Sequence, residues 1–81
     1  MKLPRDVSGN DLAKGLRKHF GYEFSRQTGS HVRLSTSLGG AHHVTVPAHD
    51  PLKPGPLRAI LGEVASHHRI EVESVLCQLD L

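Results

Sequence analysis

The chain has 81 residues, one Tyr, two Phe, no Trp, a single Cys and a formal net charge of +2. A domain this small buries only roughly 60% of its unfolded surface, so it builds one thin core, without room for separate cofactor and substrate domains. The lone Cys77 rules out an intrachain disulfide and fits a reducing cytoplasm. The N-terminus, Met1-Lys2-Leu3-Pro4-Arg5-Asp6, lacks the apolar run of a signal peptide. No stretch approaches the roughly 20 apolar residues of a membrane span.

The first helix is expected from Ser8 to about Phe20, with Ser8 as N-cap and Asp11 as a short-armed capping-box partner. Val7 before the cap and Leu12 form a hydrophobic staple. Leu12, Leu16 and Phe20 recur every fourth residue as one apolar stripe, with Lys14, Arg17 and Lys18 off it. Gly21 supplies the left-handed position that stops the helix. A strand follows at Tyr22–Gln27, Tyr22 and Phe24 on one face, Glu23 and Ser25 on the other.

Thr28-Gly29-Ser30 reads as a tight hairpin turn, and the second strand begins at His31 and runs to Ser35. Val32 and Leu34 point one way; His31, Arg33 and Ser35 point the other. Ser37-Leu38-Gly39-Gly40 is the next turn. The third strand covers His42–Val46, with Val44 and Val46 inward and His43 and Thr45 outward, and Pro47 ends it because proline cannot donate to a ladder.

Residues 47–56 form a proline-rich loop. The second helix starts near Pro54-Gly55-Pro56, and Leu57, Ile60, Leu61 and Val64 give it an apolar face. Gly62 inside it costs roughly 1 kcal/mol relative to Ala, which leads us to expect close packing there. Ser66-His67-His68-Arg69 reads as a break, and Ile70–Leu79 as a third, short helix. The expectation is therefore a single α+β domain over residues 1–81. Its three-stranded antiparallel sheet is covered on one face by two helices, in the order α-β-β-β-α, with a short C-terminal helix.

Charge is uneven along this scaffold. Residues 1–62 hold nine Lys or Arg against four Asp or Glu, a net of +5; residues 63–81 hold one against four, a net of −3. The basic part could meet phosphates, but by charge alone solvated lysines on helix faces are the favoured reading. Three aromatics at one helix–strand junction argue against a sheet that stacks rows of RNA bases.

The element order and residues resemble the HicA family of mRNA interferase toxins, whose fold is like the double-stranded RNA-binding domain. The likeness runs through Ser8-Gly9 and Gly21-Tyr22, which bracket the first helix, and through Arg26-Gln27-Thr28-Gly29-Ser30-His31. It continues in Val44-Thr45-Val46-Pro47-Ala48-His49 and in the segment from Leu52-Lys53-Pro54-Gly55 to Ile60-Leu61. The Gly-Ser-His triplet alone is common; joined to the other segments in this order it is specific. The resemblance implies a cytoplasmic toxin of a type II toxin–antitoxin system. It implies an endoribonuclease that acts on mRNA with His31 as the catalytic residue. It also implies a HicB-like antitoxin that covers the active site.

Cleaving RNA without a metal or other cofactor needs a base for the 2′-hydroxyl proton, an acid for the departing 5′-oxygen, and positive charge for the phosphorane oxygens. Histidine titrates near neutral pH and fills either proton role. Gly29 lets the backbone approach phosphate and Ser30 offers a hydroxyl. Arg26, Arg33 and Lys53 are candidate phosphate contacts, and His43 and His49 candidate second proton-transfer groups. Arg26 and Arg33 flank the turn, with their relative faces open. The free amides of the second helix near Gly55 are a further candidate for phosphate.

His42-His43 does not read as a metal site, because neighbours on a strand point to opposite faces, and His67-His68 fits the negative pole of a helix end. Ser30 lacks the strand–turn–helix elbow of an acyl-transfer nucleophile. The rival functions are a non-catalytic RNA-binding module, with affinity falling steeply in salt, and an antitoxin-docking domain of the same fold.

Overall fold

A computed structural model describes residues 3–81; Met1 and Lys2, which belong to the polar N-terminus read above, lie outside the described residues. The elements are α1 (Gly9–Phe20), β1 (Glu23–Thr28), β2 (His31–Thr36), β3 (His42–Pro47), α2 (Pro54–His68) and α3 (Val72–Leu79). The fold is α+β, with strand order β1-β2-β3 and both pairings antiparallel.

Local chemistry sets the ends of α1 as expected. The Ser8 hydroxyl accepts from the Asp11 N–H at 3.0 Å, and Gly21 takes φ +69° while its N–H closes on the Leu16 carbonyl. Val7 and Leu12 are both buried, as a staple requires. Val32, Leu34, Val44 and Val46 form the inner face of the sheet. They meet Leu12 and Leu16 of α1 and Leu57, Leu61 and Val64 of α2 in one core. Each such side chain contributes roughly 1.5–3 kcal/mol by leaving water, which makes this face the chief source of stability. Helix α3 adds Val75 and Leu79 by packing on α1 and α2.

Three local readings are corrected. Strand β1 does not alternate simply: its register shifts between Phe24 and Arg26, so Ser25 is an extra residue, a β-bulge. Helix α2 does not break at Ser66 but continues through His68, with Arg69 capping it at φ 58°. His67 and His68 have tertiary partners that offset the cost of a non-glycine residue in that conformation, as described below. Gly62 is not closely packed, since a Cβ there would meet nothing within 4 Å. The close approach is at Gly9, where a Cβ would overlap the Pro47 carbonyl oxygen. The Gly9 N–H donates to the His49 carbonyl at 2.8 Å, so the start of α1 is pressed onto the end of β3.

Candidate active site

Thr28 and His31 are paired residues, leaving Gly29-Ser30 as a two-residue loop. Gly29 has φ +58°, and Ser30 is not among the residues with positive φ. Glycine at the first of two central positions is the type II′ pattern, whose twist matches the flanking strands. Nothing lies within 4 Å of a Cβ built on Gly29, so the backbone there is open to an approaching group.

The turn is tied down on both sides. Gln27 Nε2 donates to the Gly29 carbonyl at 3.0 Å. The Ala48 N–H donates to the Ser30 carbonyl at 2.6 Å. His31 pairs with Pro47, which the Gly9–His49 bond fixes against α1. The side chain of His31 is exposed while those of Val32 and Leu34 are buried, so His31 stands on the face of the sheet away from the helices.

The Ser25 bulge decides what joins it there. Unbroken alternation places Arg26 with Phe24, on the helix side. The extra residue instead makes Arg26 the direct partner of Arg33, which in turn pairs with Thr45. Directly paired residues share a face, and His31 and Arg33 are two apart on β2. His31, Arg26 and Arg33 therefore occupy one open surface, with His31 and Arg33 about 7 Å apart along the strand. Two like charges directly opposite each other oppose pairing and are relieved by an anion between them.

The other candidates are separated by the same register. His43 pairs with Ser35, on the same face but four residues along β3 from Pro47, roughly 13 Å away. His49 is exposed two residues beyond Pro47, on the segment whose backbone holds the turn. Lys53 is exposed at the N-cap of α2 and makes no side-chain cap bond. The helix end itself is a poor anion cradle. Pro54 and Pro56 remove two donors, the Leu57 N–H bonds Lys53, and only the Gly55 amide is left in the first three positions.

A second histidine group, missed as a group in the sequence, lies at the other end of β2. Tyr22 OH is 2.8 Å from His42 Nδ1 and 3.3 Å from His68 Nε2. His67 Nε2 donates to the Leu38 carbonyl at 2.8 Å. The rings of His42 and His67 stack at 4.3 Å and 9°. Both Tyr22 contacts are satisfied if its hydroxyl donates to His42 and accepts from His68. Burial, followed by the Glu63 carboxylate, pushes the Tyr22 hydroxyl up to about 12. Burial, with neighbouring histidines, lowers the pKa of His42 and of His68 from the ordinary 6.5. Stacked rings turn their nitrogens sideways rather than toward one point. Among the described residues no three His, Cys, Asp or Glu side chains are grouped as a metal would need.

A sequence-family model described as the HicA toxin of bacterial toxin–antitoxin systems matches residues 9–65. The chain belongs to the HicA toxin family. The match spans α1, the whole sheet and α2 through Ala65, and so includes the His31 turn. A search of curated proteins finds no match, and a search of solved structures finds none. As a HicA toxin, the chain has a role in a toxin–antitoxin system and an antitoxin as its partner. Among the described residues, no helix is long and apolar enough to cross a membrane.

Proposed function

We propose that this HicA toxin is an mRNA interferase, an endoribonuclease that cleaves single-stranded or loosely paired mRNA without metal, with His31 as its catalytic residue. The observation that carries the reading is the shared open face of His31, Arg26 and Arg33, produced by the bulge at Ser25. RNA brings its own nucleophile. The 2′-hydroxyl loses its proton to a base and attacks phosphorus, the bond to the 5′-oxygen breaks, and an acid protonates that oxygen. The products are a 2′,3′-cyclic phosphate and a 5′-hydroxyl.

His31 serves as the base or the acid. His49 is favoured over His43 as the other group, because it follows His31's strand partner while His43 is displaced along β3. Arg26 and Arg33 neutralise the phosphorane oxygens. Gly29 and Ser30 admit the phosphate to the turn, and Lys53 extends the positive field. A HicB-like antitoxin silences the toxin by covering this face, and the enzyme meets mRNA in the cytoplasm.

The test is end-group analysis of a defined single-stranded RNA after incubation with the purified chain in excess EDTA. Cyclic phosphates and 5′-hydroxyls are expected, with cleavage abolished by a 2′-deoxy sugar at the scissile position. Products bearing 5′-phosphates overturn the mechanism. Intact RNA bound in a salt-sensitive way replaces the enzyme with a non-catalytic binding module.

A further inference from the structure

The chain has three Phe and Tyr rings. Phe20 and Tyr22 are buried, whereas Phe24 is 51% exposed. It sits in a groove of about 260 Å³ between α1 and β1, lined by Asn10, Ala13, Lys14, Arg17, Phe24 and Gln27 over Val32 and Leu34. No acidic residue lines it. Lys14 and Arg17, one helical turn apart, stand along its α1 side. Gln27 closes the end nearest the hairpin, where its Nε2 holds the Gly29 carbonyl. The groove thus leads to the turn that carries His31.

A flat apolar ring beside two cations and two carboxamides matches one chemical class best, a nucleotide in a single strand. Its base has a π-face for the ring, its phosphates meet the cations, and its base edges meet the amides. An added protein strand fits less well. The Ser25 bulge disrupts the β1 edge in the middle of the strand, which is a common way of preventing edge-to-edge pairing. Phe24 pairs with Leu34, which is three residues from His31 on β2, a distance of roughly 10 Å along the strand. A chain of a few nucleotides that turns over the β1 edge at the hairpin reaches from one to the other.

We propose that the α1–β1 groove is a nucleotide subsite, in which one unpaired base stacks on Phe24 and the adjoining phosphates lie against Lys14 and Arg17. This rests on the reading of the chain as an RNA-acting protein, and it places a recognition position outside the reacting bond. Phe24 is a positioning residue here: it fixes which part of the strand enters the His31 face.

The experiment measures binding of a fluorescent single-stranded RNA by anisotropy across a salt series. It uses the full chain carrying His31→Ala so that the RNA survives. Phe24→Leu in that background is expected to weaken binding roughly tenfold with the salt slope unchanged, while Phe24→Tyr retains it. Lys14→Gln and Arg17→Gln are each expected to weaken binding and lower the salt slope by about one. Both are solvated positions, so they test the groove even if Phe24→Leu alters the fold, which melting reports. Parental affinity in Phe24→Leu and in both charge variants overturns the subsite. So does loss of antitoxin binding with RNA binding unchanged, which makes the groove a protein-docking surface. A wild-type chain that cleaves no RNA, while these variants weaken binding as stated, sinks the nuclease reading and leaves the subsite standing.

Discussion

The two ends of β2 hold histidines in opposite circumstances. At its start His31 is exposed, has an open glycine turn before it, and shares its face with two facing arginines. Beside its other end His42 and His68 each meet the Tyr22 hydroxyl through one ring nitrogen, and His67, packed on both of their rings, bonds the Leu38 carbonyl. The first arrangement costs stability, because Arg26 stands directly opposite Arg33. The second adds stability by tying β3, the β2–β3 turn and the C-terminal end of α2 together. A histidine exposed on a charged surface is available for chemistry, whereas one packed against other rings and bonded through a ring nitrogen helps to hold the fold.

That contrast can be broken at either end. Replacing both Arg26 and Arg33 by Gln should lower the cleavage rate roughly 100-fold, since it removes charge aimed at the phosphorane. Stability should stay level or rise by a few tenths of a kcal/mol, because a like-charge pair is relieved. Single-turnover kinetics beside urea melts give both numbers. A parallel fall in stability would mean that the arginines hold the sheet together.

Gly9→Ala should destabilise the chain by about 3 kcal/mol, because its methyl meets the Pro47 carbonyl, a backbone atom that cannot step aside. Urea denaturation measures the loss. An unperturbed midpoint would show that α1 is not pressed on the segment that supports His31.

The packed end makes a pH prediction. The folded pKa values of His42 and His68 lie below the ordinary 6.5, so over that interval the unfolded chain binds more protons. Stability is then fully present above pH 6.5 and falls as the pH drops through and below it. His42, His43, Glu63, His67, His68 and Tyr22 are the titratable groups that face one another there. Protonating His42 also turns the acceptor for the Tyr22 hydroxyl into a second donor. Tyr22→Phe should cost about 1 kcal/mol at pH 7.5 by removing both hydroxyl bonds. Its cleavage activity should be retained. Thermal melts from pH 7.5 to 5 check both points, and a flat profile would contradict the assignment. Smaller still, Gly62→Ala should stabilise by up to about 1 kcal/mol, because α2 gains helix propensity and the methyl enters open space.

Much of this architecture was legible in the residues. The Leu12-Leu16-Phe20 stripe, the Ser8 cap and Gly21 stop, and the alternating valines of β2 and β3 are local signals, and local physics suffices for them. The rest depended on distant contacts. Ser25 carries no mark of a bulge, yet that one extra residue moves Arg26 onto the His31 face. His67-His68 reads as a break until Tyr22 and Leu38 arrive to hold it in a helix. Gly62 and Gly9 are alike in sequence, and only the tertiary neighbours show which one admits no side chain. The His31 turn itself was recognisable from its Gly-Ser-His order, while the groove under Phe24 exists only once α1 is folded over β1.

The most direct measurement compares the purified chain with His31→Ala on one defined single-stranded RNA in excess EDTA, with melting curves for both. The account predicts cleavage by the parent chain, a loss of at least roughly 100-fold in His31→Ala, and superimposable melts. Equal cleavage by both proteins would contradict it, and would move the chemistry away from the exposed end of β2.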